Sequence, residues 1–126
     1  MDLGEYSSCL NVADLQASLE FYSALGFKII ENHRAENWAV LQHNNLALCL
    51  FQGHIERNMM NFRGADIQEI AAQIESKGLE LSKPAHQEED GSWSAEIIDP
   101  DGNVIYFNTF PDEREKYLKT GKLSAL

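Results

Sequence analysis

Leu15, Leu19, Tyr22 and Leu25 recur at helical spacing between Asp14 and Gly26. The pattern predicts a helix with one apolar stripe. Asp14 can accept from the orphan amides of the first turn, and Gly26 can take the left-handed stop. Ile67, Ile70, Ala71 and Ile74 repeat the pattern between Asp66 and Gly78. A stripe on one side of a helix must be covered, and β-prone runs around each helix offer the cover. Tyr6 to Val12 alternates, with Leu10 and Val12 on one side and Ser7, Cys9 and Asn11 on the other. Further runs span Phe27 to His33, Trp38 to His43 and Leu46 to Gln52, then Met59 to Arg63, Leu79 to His86, Ser92 to Ile98 and Asn103 to Phe110. Asn44-Asn45 and Asp99-Pro100-Asp101-Gly102 read as tight turns. In the second, Pro100 presets φ and Gly102 supplies a positive one.

The order is strand, helix and three strands, twice over. Ala13-Asp14-Leu15-Gln16 returns as Ala65-Asp66-Ile67-Gln68, and Asp66 and Gly78 each stand 52 positions after Asp14 and Gly26. Two half-length modules are expected, about residues 5–52 and 59–110, joined by Gln52 to Asn58. From Pro111 a short helix is expected, with Glu115 and Lys119 four apart, ending near Gly121 in a tail that frays toward residue 126.

With 126 residues and 44% apolar content, the chain has enough for one core, so one domain over residues 1–126 is expected. The formal charge of −10 repels a phosphate backbone, which argues against nucleic acid. The same charge keeps the chain off anionic membranes and suits cationic or neutral ligands, and it equally suits plain solubility. No apolar run approaches the roughly 20 residues of a membrane span, and Met1 to Glu5 lacks a basic export start, so a cytoplasmic setting is expected. Cys9 and Cys49 lie in separate apolar stretches and read as buried free thiols.

Three stretches together resemble the vicinal oxygen chelate superfamily, the glyoxalase, bleomycin-resistance and dioxygenase group. They are Asn11 to Tyr22 leading to Leu25-Gly26-Phe27, the helix ending at Gly78, and Asp99-Pro100-Asp101-Gly102-Asn103. The resemblance covers about residues 5–110. It implies an α+β fold in which two tandem βαβββ modules form a curled eight-stranded cup with helices outside, and it implies a homodimer. In the metal-using branch each of four strands contributes a His, Gln or Glu. Here those places carry Ser7, Cys49, Met59 (or Met60) and Tyr106. A hydroxyl, a thiol, a thioether and a phenol do not make a hard-metal set, so neither a metal nor another cofactor is expected. His33, His43, His54 and His86 fall at strand ends or in the connector and match none of the places.

Alternation then supplies a ligand-binding set. With Leu41, Leu48 and Leu50 under the helices, Trp38, Val40, Gln42, Ala47, Cys49 and Phe51 face the cup, as do Glu96, Tyr106 and Asn108. Met59, Asn61 and Arg63 share a side. Trp38, Phe51 and Tyr106 make an aromatic floor, and Asn61, Arg63, Glu96 and Asn108 supply polar handles beside Cys49. Trp38 also reads as a core or interface residue, Tyr106 as a structural phenol, and Glu96 as a solvated or Arg63-paired carboxylate. Glu96 is a candidate general base. Ser7, Cys9 and Cys49 lack an adjacent histidine to activate them. Three readings stay open: metal-independent small-molecule binding of a cationic or aromatic ligand, a metal-dependent lyase, isomerase or dioxygenase, and an accessory domain without a ligand.

Overall fold

Each apolar stripe forms a helix capped at both ends. α1 (Leu15–Ala24) starts from Asp14, whose carboxylate accepts the Ala17 amide at 3.2 Å. α2 (Ile67–Ser76) starts from Asp66, which accepts the Glu69 amide at 3.1 Å. Both end in the same pair of bonds. The Gly26 and Phe27 amides donate to Ser23 and Tyr22, and the Gly78 and Leu79 amides donate to Glu75 and Ile74. This Schellman arrangement needs a left-handed residue, and Gly26 and Gly78 sit at φ of 104° and 79°. The aromatic contact between Tyr22 and Phe27, 5.4 Å between ring centres, is the hydrophobic clasp that accompanies it.

The computed structural model describes residues 1–121, so the end of the expected tail lies outside the described residues. Among them, eight strands form an open mixed sheet, with three α-helices, in an α+β fold. The described residues part into two compact units: Ser7–Met59, and Met1–Tyr6 joined to residues 60–121. No helix among the described residues is long and apolar enough to cross a membrane.

In the first unit the strands are β1 (Glu5–Asn11, from Ser7 on), β2 (Lys28–His33), β3 (Trp38–His43) and β4 (Leu46–Phe51), ordered β2-β3-β4-β1. β3 is antiparallel to both β2 and β4, and β1 runs parallel to β4. Asn44 takes a φ of 53° in the two-residue turn between β3 and β4. Leu15 and Leu19 of α1 bury against Ala39, Leu41, Leu48 and Leu50, the alternate positions that the sequence assigns to the helix side. Leu25 is an exception: it is the C-cap residue and is 60% exposed, because the helix ends before Leu25 can join the stripe.

In the second unit β5 (Met59–Arg63, from Met60 on), β6 (Lys83–Gln87), β7 (Trp93–Ile98) and β8 (Val104–Thr109) lie in the order β5-β8-β7-β6. Ile67, Ile70 and Ile74 bury with Ala65, Ala95 and Phe107. β6 begins four residues later than the run from Leu79 suggests, since the Leu79 amide is already engaged in closing α2. Asp99 organises the β7–β8 turn by accepting the Asp101 and Asn103 amides at 2.9 and 2.8 Å, and its bond from the Asn103 side chain holds its carboxyl below the usual range. α3 (Pro111–Thr120) follows, with Glu113 accepting the Phe110 amide at 3.0 Å and Lys119 donating to Glu115 at 2.9 Å. The N-terminal residues belong to this unit: Gly4 lies against the backbone of Arg63 and Ala65, and Tyr117 donates to Asp2 at 2.8 Å.

Candidate functional site

On the first unit, the strand positions not used by α1 form cross-strand rows. His33 of β2 stands opposite Trp38 of β3, which stands opposite Phe51 of β4, which pairs with Asn11 of β1. The rings follow that register. His33 and Trp38 stack at 3.9 Å with 14° between planes, and Trp38 and Phe51 stack at 6.0 Å with 22°. The connector extends the row, because Gly53 at a φ of 82° turns the chain and His54 meets Phe51 edge-on at 6.0 Å. His54 is pinned by donating from Nε2 to the Glu36 carbonyl at 2.6 Å. Two histidines that the sequence places at a strand end and in the connector therefore flank the aromatic pair. The next row is Val40, Cys49 and Cys9, all buried, with Ile55 and Met59 packed against it.

The second unit's corresponding face is polar. Ser94 stands opposite His86 and Asn108, and Glu96 opposite Lys83 and Tyr106. The Asn61 side chain donates to Asn108 Oδ1 at 2.7 Å and to the Tyr106 carbonyl at 3.1 Å, which locks it across β5 and β8. Glu96 is buried, accepts from Ser82 Oγ at 2.9 Å and lies 3.7 Å from Lys83 Nζ. Its partners are thus Ser82 and Lys83, and Arg63 pairs instead with Glu113 of α3 while its guanidinium rests 5.8 Å over the Phe110 ring. Nothing in the spacing of β5 and β7 pointed to α3 as the source of that carboxylate.

A Ser–His–Glu grouping that the sequence did not reveal sits on this face. His86 Nε2 lies 2.6 Å from Glu88 Oε1 and 3.1 Å from Ser94 Oγ, and Nδ1 lies 2.9 Å from the Pro84 carbonyl. A carbonyl and a carboxylate oxygen only accept, so the contacts at Nδ1 and Nε2 favour the protonated ring. Nε2 is directed at Glu88 as well as Ser94, which is not the arrangement of a base aimed at a nucleophile. The bond to Pro84, followed by that to Glu88, raises the His86 pKa above its ordinary value of 6.5. A group with a raised folded pKa contributes stability in full below 6.5 and loses it as pH rises through the folded value. An NMR titration of the His86 ring is expected to give a midpoint above 6.5, and H86Q to flatten the stability profile from 6.5 upward. A midpoint at or below 6.5 refutes the assignment.

The resemblance noted in the sequence implies a metal held from four strands. The four expected places hold a hydroxyl (Ser7), a thiol (Cys49), a thioether (Met59) and a phenol (Tyr106). Among the described residues no group of three or more His, Cys, Asp or Glu is placed to hold a metal. This donor set does not fit a hard divalent ion, which takes imidazole and carboxylate ligands.

Comparisons with known proteins agree on the architecture. The family described as "Bleomycin resistance protein-like N-terminal" matches residues 8–44. A comparison with curated proteins found no match. The crystal structure of an NAD-dependent benzaldehyde dehydrogenase from Legionella pneumophila is similar at 21% identity and a TM-score of 0.70, covering 83% of this chain and 98% of that one. A glyoxalase/bleomycin resistance protein/dioxygenase superfamily member from Vibrio splendidus is similar at 15% identity and a TM-score of 0.62, over 82% and 97% of the chains. A Mn(II)-bound glyoxalase from Novosphingobium aromaticivorans is similar at 15% identity and a TM-score of 0.56, over 82% of this chain and 36% of that one.

Proposed function

We propose that this chain, which adopts the vicinal oxygen chelate fold, binds a flat cationic or aromatic small molecule on the Trp38–Phe51 platform without a divalent metal. The observation that carries this reading is the stacked row His33–Trp38–Phe51, edged by His54. An aromatic ring packed against this row gains about 0.5–1.5 kcal/mol per aromatic pair beyond its burial, and a cation gains a similar amount more. The charge of −10 favours a cation further. Cys49 is proposed as the platform's neighbour in contact with the ligand. On the second unit by itself, Asn61, Glu96, Tyr106 and Asn108 are proposed polar ligand contacts, with Arg63, paired with Glu113, another. A homodimer in a cytoplasmic setting belongs to the same proposal.

Tryptophan fluorescence in a W93F background reads Trp38 alone. Bleomycin, named in the matched family's description, and ethidium, a flat cation, are the probes. Quenching with a micromolar dissociation constant is expected for at least one of them and is expected to survive EDTA. W38A is expected to weaken binding by about tenfold or more, read by a thermal shift. If neither probe quenches Trp38 or shifts the melting temperature, the platform reading fails.

A further inference from the structure

We infer that Cys9, Cys49 and Met59 form a binding site for a soft, thiophilic d10 cation, of which Hg(II) is the test ion. The inference goes beyond the platform reading and does not depend on it.

The strand register is its basis. β1 and β4 run parallel with Cys9 directly opposite Cys49, and both thiols lie on the face turned away from α1. Each residue is 3% exposed, and Met59 packs on the same cluster. Neighbouring strands lie about 4.8 Å apart, and two metal–sulfur bonds of about 2.3 Å end to end span roughly 4.6 Å. The register therefore puts both thiols within reach of one ion, and Met59 on the same cluster offers a thioether as a third, neutral donor.

The surroundings choose the class of ion. Val40, Trp38, Phe51 and Ile55 pack around the two buried thiols, so a net charge left at the site is penalised by burial. A divalent ion held by two thiolates is neutral. Binding replaces two S–H bonds with two metal–sulfur bonds and releases two protons to solvent. Cu(I) on the same two thiolates leaves one negative charge, and Zn(II) takes four ligands where these residues supply three sulfurs.

The test uses the whole protein, reduced and held without oxygen. Titration with Hg(II) is expected to saturate at one ion per chain, to release two protons per ion, and to block alkylation of both cysteines in the folded protein. C9A and C49A are each expected to weaken Hg(II) binding by about 100-fold or more, and M59L by about tenfold. Circular dichroism checks that the variants fold, and the alkylation and proton counts need no variant at all. Three results would each overturn the inference: cysteines that alkylate as fast with Hg(II) as without it, two ions taken up independently, or Zn(II) displacing Hg(II) at equal concentration. Loss of ethidium or bleomycin binding leaves it untouched.

Discussion

Gly4→Ala is expected to destabilise the protein by about 3 kcal/mol or more. Gly4 has a φ of 93°, which an L side chain adopts only under strain, and an added Cβ would fall against the Arg63 carbonyl oxygen at contact far inside van der Waals range. The obstacle is backbone, not the end of a flexible side chain, so either the N-terminal residues or the start of the Arg63–Ala65 bend must shift. Gly53→Ala isolates the two effects. Its φ of 82° is similarly strained, but nothing lies within 4 Å of the added carbon, and the cost there is only about 1 kcal/mol. Urea melts of the two variants measure the difference. If they coincide, the close approach at Gly4 is not what requires glycine.

Leu41→Ala is expected to cost about 3–4 kcal/mol. Leu41 is fully buried among Leu15, Leu19, Leu48 and Leu50, where α1 meets its strands, and every neighbour is itself anchored in a strand or a capped helix. A cavity left there has little freedom to collapse. Phe21→Ala on the open side of the same helix, where the ring is 59% exposed, is expected to change stability by no more than about 0.5 kcal/mol. Chemical denaturation of both variants checks the contrast, and a Leu41→Ala cost below about 1.5 kcal/mol would mean that the sheet relaxes into the space.

The helices and most strands were legible because their signals are local. Asp14 with Gly26 and Asp66 with Gly78 mark helix ends through bonds made within a few residues, and alternation alone separates Leu48 and Leu50 from Cys49. The start of β6 was not legible, because closing α2 and extending a strand compete for the same amide of Leu79. Partners across strands were not legible either. Alternation says which face Cys49 takes but not that parallel pairing sets Cys9 beside it, 40 positions away in sequence. The place of His33 and His54 beside the rings was not legible for the same reason: one joins the aromatic row through the β2–β3 register, the other through a turn at Gly53. The ion pair of Arg63 with Glu113 depends on how α3 leaves β8, which no periodicity records.

The alternation of each strand divides its labour. Leu41, Leu48 and Leu50 answer to α1, while Trp38, Cys49 and Phe51, interleaved with them, answer to nothing in that helix. Substitution at one set therefore leaves the other to keep the scaffold standing. The first unit carries rings and sulfur at such positions, the second amides, hydroxyls and a carboxylate. A repeated frame of this kind presents two surfaces whose chemistry can change separately.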